Sequence, residues 1–294
     1  MEQTQQIKSS KELRKMAREQ LKGKWGSAAL IIFVFGIVSM TFAIPFKGIG
    51  GIIRFIVGGA LTLGFKACFI KIARRSKFEL ETLFSGFHNF GSALLLQLLN
   101  GIFVFLWSLL AIIPVVIIIV MVSRTGIEGV AYDPGLKGKL VFLGILTFVC
   151  VIPSIIAQYR YAMAYYILND NPDVGSYEAI VRSKKMMKGN KWRLFWLRLT
   201  FIGWEILRRL PIFVGVILFA IYRDSITEQV LMMVLIGIFV IIALASSLFL
   251  TPYIETAKAN FYENLKSMQP SEEGSVSEEV SISEEDLASE KGLE

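Results

Sequence analysis

Histidine and cysteine are nearly missing from this 294-residue chain, which holds one histidine, His88, and two cysteines, Cys68 and Cys150. That scarcity removes whole classes of chemistry. A cysteine–histidine or serine–histidine nucleophile would depend on His88, which stands between Phe87 and Asn89 with neither cysteine beside it. Zinc sites draw on several histidines and cysteines at short spacings, and no such spacing occurs. No glycine-rich turn leads into a lysine-bearing helix start of the kind that cradles phosphate. The expectation is therefore no catalytic residues, no metal, no cofactor, and a protein that is not an enzyme. Charge is scarce as well, at 19% of residues, against roughly 25% in soluble domains. Short alternating apolar–polar segments of a membrane barrel are missing. So is a small-residue cleavage site after the first apolar run, and a cleavable signal peptide is not expected.

What fills the chain is apolar, 54% of it, gathered into long runs. A bilayer core about 30 Å thick takes roughly 20 helical residues to cross. Six runs reach that length: Ser27 to Phe46, Gly51 to Lys71, Ser92 to Val122, Leu140 to Leu168, Leu194 to Tyr222 and Gln229 to Ile254. Lipid offers the backbone no hydrogen-bond partners, so each run reads as a helix. The fold class is thus all-α, a polytopic membrane helical bundle. Lysine and arginine crowd the segment before the first run and the connections after the second and fourth. The opposite loops hold only Lys47, Arg124, Lys137, Lys139 and Arg223. Positive charge stays inside, which predicts both termini in the cytoplasm. Cys68 and Cys150 then lie in opposite halves of the bilayer, too far apart for a disulfide.

Three segments that precede odd-numbered spans look alike: LRKMAREQLKGKWGSAAL (13–30), LETLFSGFHNFGSALLL (80–96) and YEAIVRSKKMMKGNKWRLFWL (177–197). Each reads as a short amphipathic helix, then Gly23, Gly86 or Gly189, then an aromatic anchor, Trp25, Phe90 or Trp192, at headgroup level. Such helices are expected to lie on the inner leaflet, apolar face in lipid and basic face toward anionic headgroups. The expected division is a basic segment 1–26, a six-span domain 27–265 built of three such units, and a cytoplasmic tail 266–294. Residues 271–294 repeat Ser-Glu-Glu, with nine acidic residues against one basic, and read as a disordered acidic tail.

Several stretches resemble, in order, the bacterial integral-membrane family known as domain of unknown function 975. They include SKELRKMAREQLKGKWGSA, LFSGFHNFGSALLL, FLWSLLAIIP, YRYAMAYYILNDNP, YEAIVRSKKMMKGNKWRLFWLRLTFIGW and PYIETAKANFYENLK. The family is in turn similar to membrane domains attached to some glycerophosphodiester phosphodiesterases. The resemblance implies a plasma-membrane protein and carries no catalytic residues. Residues 115–150 and the stretch between FIGW and PYIETAKANFYE lengthen this chain relative to the family pattern. Helices projecting beyond the outer leaflet are expected from that.

Ionisable residues inside lipid are costly and need a reason. The candidates for an intramembrane polar site are Lys66, Arg160, Glu205, Arg208, Arg209 and Glu255. Lys66, Arg160 and Glu255 hold comparable places on the even-numbered spans and are expected to converge. Glu205 precedes Arg208 and Arg209 by three and four residues, which suits local pairing in the outer half. Snorkelling explains the long-stemmed cations equally well. The expected partners are lipids of the anionic inner leaflet, with a membrane-protein partner or a second copy, and no nucleic acid. Transport of an ion or amphiphile, or protection against membrane-active peptides, stands as the alternative.

Overall fold

The computed structural model describes residues 8–41, 49–221 and 226–269. The acidic tail from 270 onward, and Lys47 and Arg223, lie outside them. Among the described residues there are helices and turns and no strands. In chain order the α-helices are α1 (Ser10–Leu21), α2 (Trp25–Thr41), α3 (Ile49–Ala73), α4 (Phe90–Tyr132), α5 (Pro134–Arg160), α6 (Ala164–Asp170), α7 (Ser176–Met186), α8 (Lys191–Ile221) and α9 (Ile226–Lys266). A 3₁₀ helix, Leu80–Phe87, precedes α4.

Four helical stretches are long and apolar enough to cross a membrane: Gly50–Ala73, Phe90–Gly126, Pro134–Asp170 and Met233–Lys266. A fifth counts if α1 and α2, bent by 97°, form one unit. Six were expected. The first expected span runs into residues outside the description, which leaves α2 with 17 residues. Within α8, Glu205, Arg208 and Arg209 interrupt the apolar sequence.

Burial divides the molecule into two levels. Helix α3 is the hub and touches α1, α2, α4, α6, α9 and the 3₁₀ helix. Around its C-terminal half, Leu13, Phe69, Ile72, Tyr166, Phe261 and Tyr262 form a closed core. Away from that core the hairpins α4–α5 and α8–α9 present bare apolar side chains, such as Phe148 at 75% and Ile241 at 67% exposure. A water-facing surface does not sustain so continuous an apolar patch, whereas lipid does.

The core corrects two expectations. The apolar side of α1 does not face lipid. Leu13, Ala17 and Leu21 are buried, and α1 packs on α3 and α9. Gln20 and Asn260 exchange side-chain hydrogen bonds, Gln20 Nε2 donating at 2.9 Å and Asn260 Nδ2 at 2.7 Å, and Gln20 also donates to the Ala73 carbonyl at 2.8 Å. The helix starts at a reciprocal cap, in which Ser9 Oγ accepts from the Glu12 N–H and the Glu12 carboxylate accepts from the Ser9 N–H.

The three glycines also differ. Gly23 and Gly189 turn the chain at φ 79° and 81°, as a helix end requires. Gly86 does not. A Cβ there would stand 2.0 Å from the Ala60 carbonyl oxygen, and one at Gly64 would stand 1.9 Å from that of Leu83. The second unit is a 3₁₀ helix laid backbone to backbone on α3, and only glycine permits that approach.

Candidate functional site

Helix α9 places Glu255 and Lys258 on one face, three residues apart, and α3 brings Lys66 to them. One carboxylate holds both ammoniums, Lys66 Nζ at 2.5 Å and Lys258 Nζ at 2.7 Å. The three side chains are 17%, 16% and 10% exposed for Lys66, Lys258 and Glu255. The Lys66 ammonium also lies 5.5 Å from the Tyr166 ring centre and 5.6 Å from that of Phe65, a cation–π cradle. Tyr166 stacks on Tyr262 at 5.2 Å. Its hydroxyl is buried and no hydrogen bond of good geometry reaches it.

Helix α8 adds the second group. Glu205 accepts from Arg208 Nη2 at 2.5 Å and lies 3.7 Å from Arg209. Two turns earlier, the Arg198 guanidinium sits over the Tyr159 ring at 5.2 Å. Between α8 and α9 opens a cleft of about 590 Å³ lined by Arg198, Arg208, Arg209 and Lys258, with Glu205 as its one carboxylate and isoleucines from both helices as its apolar wall. Lys258 thus belongs both to the cleft and to the buried trio. Among the described residues, Lys66, Lys258, Arg198, Arg208 and Arg209 together meet two carboxylates, Glu205 and Glu255. Cations in excess in a low-dielectric wall call for an anion.

A second cavity, about 720 Å³, lies along the same two helices and is bounded by Arg14 and Arg18 from α1 together with Arg208. Trp204, Leu207 and Phe249 form its apolar side, and all three are about as exposed as side chains meant for lipid, at 59–61%. Arg18 donates to the Tyr253 hydroxyl at 3.3 Å. Arg14 Nε and Arg208 Nε are buried with no hydrogen-bond partner.

Of the six residues expected to form a polar site, the structure brings Lys66 to Glu255, and Glu205 to Arg208 and Arg209. Arg160 joins neither group. Its backbone carbonyl accepts from Ser183 Oγ, and its side chain stays apart from the cluster. Arg208 does not sit remote from the N-terminal helix, as an outer-half placement implied. It shares a cavity with Arg14 and Arg18. The three aromatic anchors are all found at helix starts. Trp25 packs near Phe249 at 6.3 Å, Phe90 stacks on Phe87 at 6.3 Å, and Trp192 stacks on Phe195 at 4.8 Å. Sequence reasoning missed Lys258, Arg14 and Arg18. For Lys258 a signal was there, a cation three residues past Glu255 on a continuing helix.

Compared with known families, residues 1–269 match the model of a family described as "Protein of unknown function (DUF975)". Among curated proteins and solved structures nothing matches, so the further likeness to glycerophosphodiester phosphodiesterase membrane domains stays an expectation.

Proposed function

Because that match spans most of its length, the chain belongs to this family of unknown function, and from the geometry of the cleft we propose that it is a non-enzymatic integral membrane protein that holds anionic lipid. The observation that carries the reading is the α8–α9 cleft, where four cations and one carboxylate stand beside an apolar wall. A phospholipid has the matching form, a phosphate for the guanidinium forks and acyl chains for the isoleucines. In this reading the chain crosses a bacterial plasma membrane six times, with both termini in the cytoplasm, as its loop charges favour. The α4–α5 hairpin then reaches beyond the outer leaflet. Its first arm, Phe90–Gly126, is 37 residues long and spans about 55 Å. A cysteine placed at Asp133 reacts with an impermeant reagent in intact cells if this topology holds, and only after permeabilisation if it does not.

The lipid reading is tested by titrating the purified full chain with phosphatidylglycerol and with zwitterionic phosphatidylethanolamine, followed by native mass spectrometry. The expected result is a preference for phosphatidylglycerol that falls about fivefold for each of Arg198→Gln and Lys258→Gln, on the scale of about 1 kcal/mol per cation. Equal binding of the two lipids by the wild-type chain refutes it. A second reading, movement of such a lipid between leaflets, draws on the buried Lys66–Glu255–Lys258 trio adjoining the cleft. It predicts faster exchange of a labelled anionic lipid in liposomes containing the protein, lost in Glu255→Gln.

A further inference from the structure

Resting on that reading, we propose that the α8–α9 seam is built for a lipid with two phosphates: a cardiolipin-class molecule sits astride Arg208, one phosphate in each cavity. The two cavities share Arg208 and Phe201 and otherwise have separate cations, Arg198, Arg209 and Lys258 in one and Arg14 and Arg18 in the other. No carboxylate lines the second cavity. A single-phosphate lipid fills one side and leaves the other bare.

Arg208 belongs to both cavities. A guanidinium offers five N–H donors in a planar fork. Glu205 takes one edge through Nη2, while Nε is buried and unpartnered. Arg14 Nε, in the second cavity, is in the same condition. A buried donor left bare is costly, and a phosphate oxygen on that side removes the cost. The exposed Trp204, Leu207 and Phe249 continue outward from the cations, giving acyl chains a surface to follow. Two phosphates tethered through one glycerol make the second contact intramolecular, which raises affinity without any new group on the protein.

The full chain in detergent is titrated separately with cardiolipin, phosphatidylglycerol and phosphatidylethanolamine, and bound lipid is counted by native mass spectrometry. Cardiolipin is expected to bind at least about tenfold more tightly than phosphatidylglycerol. That preference is expected to collapse in Arg208→Gln and in the double variant Arg14→Gln, Arg18→Gln. Should Arg208→Gln fail to fold, the double variant decides, because α1 is anchored through Leu13, Ala17, Gln20 and Leu21 rather than through its arginines. Equal affinity for cardiolipin and phosphatidylglycerol, with both above phosphatidylethanolamine, overturns the two-phosphate site alone. A cardiolipin preference that survives the double variant does the same. No anionic preference at all takes the parent reading down with it.

Discussion

Neutralising Glu255 is the most informative single perturbation. Its carboxylate is the shared partner of Lys66 and Lys258, at 2.5 and 2.7 Å, and all three side chains are at least four-fifths buried. Glu255→Gln keeps the shape and removes the charge, leaving two ammoniums facing each other without their counterion. Breaking a buried pair from one side costs about 3–5 kcal/mol, and solvent screening at this burial relieves little of it. The folding equilibrium should shift by a factor of roughly 150 to 5,000. Lys66→Met and Lys258→Met should each cost less, because the surviving lysine still neutralises the carboxylate. The triple replacement Lys66→Met, Glu255→Leu, Lys258→Met should recover most of the loss, since no uncompensated charge remains. Denaturant unfolding of the full chain in a fixed detergent measures all four. If Glu255→Gln unfolds at the wild-type midpoint, or the triple variant is the weakest of the set, the trio is not a closed electrostatic unit.

Other outcomes follow from the packing. Gly64→Ala or Gly86→Ala should destabilise by at least about 1–3 kcal/mol, because the added Cβ meets a backbone oxygen at 1.9 or 2.0 Å. Gly91→Ala, with nothing within 4 Å, should be neutral or stabilising, and thermal melting compares them. Replacing Gln20 by Leu should cost about 1–3 kcal/mol by stranding the Asn260 amide. The pair Gln20→Leu, Asn260→Leu should cost less than the sum, read from a double-mutant cycle. At the start of α1, the Ser9 N–H and hydroxyl hold the Glu12 carboxyl below its ordinary value of 4.5. The depressed value means the cap is intact above that pH and is lost as pH falls through the lowered value. The protection of the first-turn amides of α1, relative to their intrinsic exchange, should therefore fall under acid, and not in Glu12→Ala, where it is already low.

The long apolar runs were legible because hydropathy is a local property and lipid length is a fixed ruler. The turns at Gly23 and Gly189 were legible too, since a helix ending in glycine needs no knowledge of its neighbours. Gly86 has the same sequence signature and another cause, the backbone of α3 lying against it, which only the tertiary arrangement creates. Periodicity told that one side of α1 is covered but not by what, and α3 and α9 displaced the lipid expected there. Lys66 and Glu255 found each other as anticipated. Lys258 is hidden from hydropathy, which ends the last span at Ile254, although α9 runs on to Lys266. Arg160 resembled Lys66 in depth along its span, yet depth leaves the direction around the helix axis open.

The Gln20–Asn260 exchange joins residues 240 positions apart, and this has a bearing on how the protein is made. At about 5–20 residues per second of synthesis, helix α1 leaves the ribosome some 12–50 s before its partner on α9 exists. Throughout that interval Leu13, Ala17 and Leu21 have α3 but not α9 to rest on, and their burial stays incomplete. Helix α1 thus waits half-packed on α3 during synthesis, and the last helix to arrive locks the first.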